Sequence, residues 1–473
     1  MRTSAHKGTL LLTLAQVWHA LSGYLIFLHG ARVLGIESYG NFMLVVWTMT
    51  TLEIFVVDGV PRSVSWWISK VPECTRGIAW RGFLITTAIA AGLAAVLAAA
   101  APVIGGVWGD PSLVKAVQLS GLDFLAFAGF AVLVQAINGL QRYGTQALVW
   151  FTYSTAKVAA VLAFLNAGWG VEGGVLGYIV GSLVGSLAAF VSGAPLVARF
   201  KGRDLPRPGQ FFSFGMPVAT QALALMALVN VDLWAAKRSA ASPRLVGAYG
   251  AAATLGRALF FVFKAFGDAL FPAVARAWAR GDVVEARRIA SKGLAQLLCF
   301  VVPTCGLATG AAEQVLVTLY GDEEYRAGGV LLVHLAPSSV LWTLTAVFGA
   351  LVAAAGRPGA VATSLTAVLV AAVGIVYAWA DLSGVLGAAR GSVVVAALGC
   401  LATGALMLRI LGPVIPWGVL ATTLVAALVF HSALTLWSPP SWWVFPYGAL
   451  LLAAWLAAAR KAEVMPGAAS PSL

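Results

Sequence analysis

Residues 82–104 read GFLITTAIAAGLAAVLAAAAPVI, a run of 23 positions without a charged side chain. A helix that crosses a bilayer needs about 20 such residues. The apolar residues follow one another without the alternation of a strand, and only helices and closed barrels can cross lipid. This stretch therefore predicts a transmembrane helix, and the rest of the chain repeats the pattern.

The composition agrees with a membrane protein. Of 473 residues, 60% are hydrophobic and 10% are charged, whereas soluble proteins carry about 25% charged residues. The predicted fold class is an all-α polytopic membrane protein with about 14 transmembrane helices, at residues 10–28, 41–60, 82–104, 116–138, 147–165, 174–196, 211–235, 247–274, 293–312, 328–354, 360–379, 385–408, 413–436 and 443–459. Between the last two spans, WSPPSWW at 437–443 predicts a break, because prolines end helices and tryptophans favour the membrane boundary.

The net charge of +12 is explained by topology. With the N-terminus in the cytoplasm, twenty Lys and Arg residues fall in cytoplasmic segments and six in outer segments; the six are Arg32, Lys115, Lys237, Arg238, Arg244 and Arg326. Cytoplasmic loops of membrane proteins are enriched in basic residues. We therefore predict a bacterial cytoplasmic (inner) membrane protein with both termini in the cytoplasm, and we expect no nucleic-acid partner.

An internal repeat divides the chain. Tyr39 and Tyr249 lie in similar tripeptides 210 positions apart, and GVLG at 174–177 recurs at 384–387 with the same offset. Six spans in each half make the repeats parallel. The predicted domains are an N-terminal six-helix bundle at 1–198, a basic linker at 199–210, a C-terminal six-helix bundle at 211–411, and two appended helices with a short tail at 412–473.

Ionisable residues inside the membrane usually face a bundle interior or a water-filled cavity. Arg257, Lys264 and Asp268 are spaced seven and four residues apart, so they share one helix face. They could form a cationic wall for an anionic substrate; alternatively, Lys264 and Asp268 form a structural pair. Lys157 and Arg390 could line the same cavity or reach an interface.

Acidic residues in the spans are candidates for coupling to H+ or Na+. They are Glu53, Asp58, Asp123, Asp232 and Asp268. The structural alternatives are an ion pair of Asp58 with Arg62, pairing of Asp232 with Lys237 or Arg238, and interhelical hydrogen bonds for Glu53 and Asp123. The sequence contains no catalytic, nucleotide-binding or metal-binding motif, so neither an enzyme nor a cofactor is expected.

Several motifs resemble those of a known family. ARVLGIESYGNF at 31–42, VD at 231–232 followed by VGAYGAA at 246–252, LFPA at 270–273 and AAGR at 354–357 are similar to elements of the Wzx-type polysaccharide flippases. That family belongs to the multidrug/oligosaccharidyl-lipid/polysaccharide (MOP) exporter superfamily. It commonly places a basic residue directly after the Asp of the second motif, whereas here Leu233 follows Asp232.

The resemblance implies a function and a binding site. It implies two six-helix bundles around a central cavity, and flipping of a lipid-diphosphate-linked oligosaccharide to the outer leaflet of the lipid bilayer. Because hydrocarbon excludes sugars and phosphates, a cationic cavity would replace their hydration. The candidate substrate contacts are Arg32, Lys157, Arg257, Lys264 and Arg390. A polysaccharide polymerase is a candidate partner.

Two other interpretations stay open. The chain could be a lipid II flippase or a cation-coupled multidrug exporter of the same superfamily. It could also be a membrane-embedded polymerase, ligase or structural subunit, although its outer loops are short and carry no acid–base constellation.

Overall fold

The computed structural model describes residues 2–200, 202, 206–437 and 439–461, without the side chains of residues 2–7, 9, 214, 268, 441 and 461. The described chain is almost entirely helical and contains no strand. Its α-helices are α1 Arg2–Ile54, α2 Val60–Lys70, α3 Thr75–Val107, α4 Val114–Gly139, α5 Tyr143–Asn166, α6 Gly170–Val197, α7 Pro208–Ser239, α8 Pro243–Ala279, α9 Val283–Gly310, α10 Ala312–Tyr320, α11 Gly329–Ala354, α12 Pro358–Leu411, α13 Trp417–Trp437 and α14 Val444–Lys461.

The predicted polytopic architecture is confirmed. Within the described ranges, 11 helical stretches are long and apolar enough to cross a membrane. Two of them, around α1 and in α12, have the length of two spans and are interrupted by kinks, and α14 adds a shorter apolar helix. Counted in this way, the helices match the fourteen predicted spans, and the break at the tryptophan-rich segment 437–443 is confirmed by the end of α13 and the start of α14.

The first two spans are joined by a kink rather than by the outer loop predicted at 29–40. Gly35 has φ 71° and ψ 164°, a conformation that favours glycine because it has no Cβ. The chain folds back there, since the ring of Phe27 stacks on that of Trp47 at 5.6 Å between centroids. A single glycine therefore replaces the loop.

The spans of α12 are joined in the same way. Gly384 has φ 62° and ψ −143°, and the adjacent Ser383 is also non-helical. After this kink, Gly391 lies so close to Val376 that a Cβ on the glycine would be 3.1 Å from the valine Cα. Small residues permit such close packing of membrane helices.

The second span continues further than predicted. It does not end at residue 60, because a π-helical turn at Phe55–Gly59 leads directly into α2, which ends at Lys70. The prediction placed a loop here because the apolar run ends. The buried residues of α2, including Val60, Val64 and Ile68, pack in one hydrophobic cluster instead, and that packing stabilises the extra helix.

The chain forms two compact units, Met1–Met226 and Ala227–Leu473. The predicted domain bounds, with a linker at 199–210, stay a prediction. The first half of α7 belongs to unit 1, because Ser63 on α2 donates a hydrogen bond of 2.7 Å to the carbonyl of Phe211. Gly215 also approaches Gly59, whose carbonyl oxygen would lie 2.5 Å from a Cβ on Gly215.

Candidate functional site

Among the described side chains of unit 1, the buried cation is Lys157 on α5. Its side chain is 5% exposed and its Nζ lies 5.0 Å from the ring centroid of Tyr153 and 5.2 Å from that of Tyr178. Gly181 on α6 makes room for it, because a Cβ there would lie 2.6 Å from the Cβ of Lys157. Aromatic faces attract cations, so the two tyrosines offset part of the hydration that the ammonium group has lost.

Two carboxylates share this region. Glu53 from the second span and Asp123 on α4 are both buried, and both interact electrostatically with Lys157. Among the described groups, none hydrogen-bonds to either oxygen of Asp123 or to Oε1 of Glu53. Ser182 lies beside Asp123 but not in hydrogen-bonding geometry. We call Glu53, Asp123 and Lys157 the unit 1 cluster; with all three groups ionised, it carries one net negative charge.

A histidine borders the unit 1 cluster. The Nδ1 of His19 lies 2.9 Å from Oγ of Ser154, and its ring centroid lies 5.7 Å from that of Tyr153. The adjacent residues make a second contact, since Trp18 donates to Oγ1 of Thr155 at 3.0 Å. The first span and α5 are therefore held side by side by polar contacts, which fixes the helix that carries Lys157.

In unit 2, Arg257 and Asp232 form a direct buried pair, and Lys237 on α7 is also buried. Arg257 on α8 donates from Nη2 to Oδ1 of Asp232 on α7 at 2.7 Å and to the carbonyl of Val229 at 3.0 Å. The side chains are 4% and 3% exposed. A small cavity beside the pair is also lined by Ser338 and Trp342 of α11. The sequence interpretation that paired Asp232 with Lys237 or Arg238 missed this partner, which lies 25 positions away on another helix.

The other sequence candidates lie apart from these two groups. Asp58 accepts a hydrogen bond from Nε of Arg62 at 2.5 Å, which confirms the predicted local pair. Arg32 is exposed on the first span, Arg390 is exposed on α12, and Lys264 is half-buried on α8, two turns after Arg257. The side chain of Asp268 lies outside the described residues.

Sequence reasoning missed the aromatic lining of the unit 1 cluster. Tyr153 precedes Lys157 by four residues on α5, a spacing that places both on one helix face and could have indicated it. Tyr178 and His19 come from other helices, so no spacing in the sequence indicates them. Across the described residues, no group of three or more His, Cys, Asp or Glu side chains is placed to hold a metal ion.

The sequence and the fold are similar to those of known proteins. The family model described as polysaccharide biosynthesis protein matches residues 5–278. The chain belongs to this family. The match spans more than half of the chain and includes the unit 1 cluster, Asp232 and Arg257.

Solved structures confirm the fold. A structure of the lipid II flippase MurJ in an inward closed conformation has a TM-score of 0.77 at 12% identity, covering 96% of this chain and 99% of that one. An inward-facing multidrug resistance transporter of the MATE family scores 0.61 at 16% identity, covering 90% and 96%. The eukaryotic MATE transporter AtDTX14 scores 0.57 at 14% identity, covering 90% and 100%. This chain, a member of the polysaccharide biosynthesis family, thus has the fold of the MOP superfamily. No curated protein matches its sequence significantly.

Proposed function

We propose that this protein flips a lipid-diphosphate-linked oligosaccharide from the cytoplasmic to the outer leaflet by alternating access. The observation that carries the proposal is the family match over residues 5–278 to polysaccharide biosynthesis proteins, on a fold that covers 96% of the chain against a lipid II flippase. Polysaccharide synthesis on a lipid carrier needs such a step, because sugars and diphosphate lose their hydration in hydrocarbon. The inner membrane is the proposed location, and a polysaccharide polymerase is the proposed partner.

The side chains of the proposed substrate contacts differ in how deeply they are buried. Lys157 and Arg257 are buried beside carboxylates, so they act in the proposal by holding their helices and by setting the local charge. Arg32, Lys264 and Arg390 are exposed or half-buried on helices that cross the membrane. We assign the direct contacts with the diphosphate to these three, because guanidinium and ammonium groups bind phosphate oxygens through charge-assisted hydrogen bonds.

Lipid II flipping is the second candidate. It is favoured by the higher TM-score of 0.77 with the lipid II flippase, against 0.61 and 0.57 with the two MATE transporters. Both candidates move a diphosphate-linked glycolipid and differ in the sugar. Multidrug export, the third alternative, fits less well with basic residues on the spans, because a cationic drug would be repelled by them.

The test measures how a fluorescent lipid-linked oligosaccharide becomes accessible to a membrane-impermeant quencher in proteoliposomes. We expect wild-type protein to equilibrate the label between leaflets. Lys264→Ala combined with Arg390→Ala should slow this step by about tenfold or more, because charged hydrogen bonds to the diphosphate are lost. The matched control is Arg142→Ala, which removes an exposed arginine at the turn before α5.

Each outcome of this test separates the candidates. If labelled lipid II moves and the oligosaccharide does not, lipid II flipping replaces the first proposal. If neither glycolipid moves while a cationic drug is exported, both flippase proposals fail. An unchanged rate in the double variant would remove Lys264 and Arg390 from the proposed binding site.

We further propose that the unit 1 cluster couples transport to an ion. With all three groups ionised, its net charge of −1 is balanced by a single proton or sodium ion, and burial makes an unbalanced charge costly. Two of the other ion candidates are less suited: Asp232 is bound by Arg257, and Asp58 is bound by Arg62. The side chain of the third, Asp268, lies outside the described residues. We expect Glu53→Gln with Asp123→Asn to abolish the response of the flipping rate to an imposed proton or sodium gradient. Asp58→Asn should leave that response intact, and an equal loss in both variants would contradict the assignment.

A further inference from the structure

A groove of about 1050 Å³ runs along unit 1 where α3, α4 and α6 meet. Three small, half-buried residues line it, Gly77 on α3, Gly129 on α4 and Ala194 on α6. Large side chains border the groove beside these small residues: Trp80 is 61% exposed and Phe190 is 62% exposed. Because small residues lie between bulky ones, three packed helices leave a channel on their outer side.

The groove is almost entirely apolar. Its side chains with polar groups are Arg76, Ser186 and Trp80, whose indole carries one N–H. The hydroxyl of Ser186 already donates to the carbonyl of Ala126 at 2.6 Å and accepts from the backbone N–H of Phe130 at 3.0 Å. A ligand in the groove therefore contacts hydrocarbon along most of its length, and polar ligands gain little there.

The surroundings of the groove indicate lipid rather than water. The helices α3, α4 and α6 are all long and apolar enough to span a membrane. Neighbouring side chains on their outer faces are also large, apolar and exposed, including Leu84, Leu183 and Val191. Hydrocarbon chains surround such faces in a bilayer, so an acyl chain can enter the groove from the side.

Length and charge identify the lipid. Along α6 the groove extends from Ser186 to Ala198, twelve residues or about 18 Å. One leaflet contributes half of a hydrocarbon core of about 30 Å, so the groove is about one leaflet long. Arg76, which is exposed at the start of α3, lies at the same end as Ala198 and Phe200. An apolar channel of this length, with a cation at its mouth, matches a lipid that carries a negative headgroup.

We propose that this groove is a binding site for an anionic phospholipid, with one acyl chain in the channel and the headgroup phosphate at Arg76. The lipid would come from the leaflet that contains Arg76, which is the cytoplasmic leaflet in the predicted orientation. This site is separate from the proposed transport of a glycolipid. It makes phosphatidylglycerol a bound component of unit 1, held where α3, α4 and α6 meet.

The test uses native mass spectrometry of the full chain in detergent, titrated with phosphatidylglycerol or with phosphatidylcholine of the same acyl chains. We expect wild type to retain one phosphatidylglycerol molecule. Ala194→Phe should abolish this retention by filling the channel, and Ala198→Phe is a second variant at an exposed position that does not disturb the core. The matched control is Leu183→Phe, which adds a ring to α6 outside the groove.

The headgroup is tested separately. Arg76→Gln should weaken phosphatidylglycerol binding about fivefold, since a basic residue near an anionic membrane contributes about this factor. Arg142→Gln removes a comparable exposed charge outside the groove and should change nothing. Retention that persists in both phenylalanine variants, or equal binding of phosphatidylcholine, would overturn the proposal. Displacement of phosphatidylglycerol by a lipid-linked oligosaccharide would also overturn it, and would assign the groove to the transported substrate. No transport is measured, so this result is independent of the flippase assay.

Discussion

The two units bury charge in opposite ways. In unit 2, Arg257 and Asp232 bond directly at 2.7 Å, and the arginine also binds a backbone carbonyl, so the pair is electrically neutral. In unit 1, Lys157 lies between tyrosine rings with two carboxylates nearby, and with all three groups ionised the net charge is −1. Arginine stays protonated in proteins, whereas lysine and carboxyl groups can exchange protons. The comparison teaches that unit 2 contains a direct ion pair between two helices, whereas unit 1 buries groups that can exchange protons.

The largest expected effect comes from breaking the ion pair of unit 2. Asp232→Ala leaves the guanidinium of Arg257 buried without its carboxylate, which should cost about 3–5 kcal/mol of unfolding free energy. Replacing both residues by apolar side chains of similar volume should recover most of the loss, because the replacement removes both charges of the pair. Thermal unfolding in detergent, followed by tryptophan fluorescence, measures both changes.

The control for this prediction is the exposed pair of Asp58 and Arg62. Surface ion pairs contribute less than about 1 kcal/mol, so Asp58→Ala should barely change the unfolding temperature. If Asp232→Ala and Asp58→Ala proved equally mild, the buried pair would not stabilise unit 2.

A smaller effect is expected in unit 1. Lys157→Met leaves two buried carboxylates, but each can become neutral by taking up a proton, so we expect a loss of about 2–3 kcal/mol. Adding Glu53→Gln and Asp123→Asn should restore most of the stability, because the triple variant has no charge left in the cluster. The same unfolding measurement checks this, and a triple variant no more stable than Lys157→Met would show that Lys157 acts by packing alone.

The smallest effects concern the repeat itself. Gly177 and Gly387 lie 210 positions apart, and both allow helices to approach closely. A Cβ on Gly177 would lie 2.5 Å from the Cα of Val161, and one on Gly387 would collide with the carbonyl oxygen of Trp379. Overpacking of this kind costs about 1–3 kcal/mol, and we expect the larger loss for Gly387→Ala because its Cβ would come closer to the neighbouring backbone than that of Gly177→Ala.

Gly92→Ala is the matched control for the two glycine variants. A Cβ on Gly92 meets no atom within 4 Å, and this exposed position lies inside α3. Alanine favours a helix over glycine by about 1 kcal/mol, so the control should be neutral or stabilising. Thermal unfolding of all three variants in one detergent decides the comparison. Equal unfolding temperatures would show that close helix packing at Gly177 and Gly387 does not contribute to stability.

Much of the fold was predictable because hydropathy acts locally. Each run of about 20 apolar residues must cross the bilayer wherever its neighbours lie, and every predicted span corresponds to a helix. The loop expected at 29–40 was wrong for a geometric reason: Gly35 can adopt a positive φ, so the chain reverses without a loop. Hydropathy also gave no signal for α2, because its helical conformation depends on packing in the cluster around Val64 and Ile68.

The sequence could predict which residues belong to the candidate sites, but not how they are grouped. The sequence singled out Lys157, Glu53, Asp123, Arg257 and Asp232 as ionisable residues within spans, since such residues are rare and costly there. It could not separate the unit 1 cluster from the unit 2 pair. The spacing of Arg257, Lys264 and Asp268 pointed along one helix, whereas the observed partner of Arg257 comes from the neighbouring helix.

The sequence by itself determined the membrane class, the number of spans, the repeat with its offset of 210, and which charges must be accommodated in lipid. All of these follow from the residues of single segments and the thickness of a bilayer. Only the tertiary structure decided that Arg257 binds Asp232, that two tyrosines enclose Lys157, and that α3, α4 and α6 leave a groove beside Arg76. The reason is that these contacts join separate helices, and the packing that selects them depends on the shapes of all the surfaces that meet.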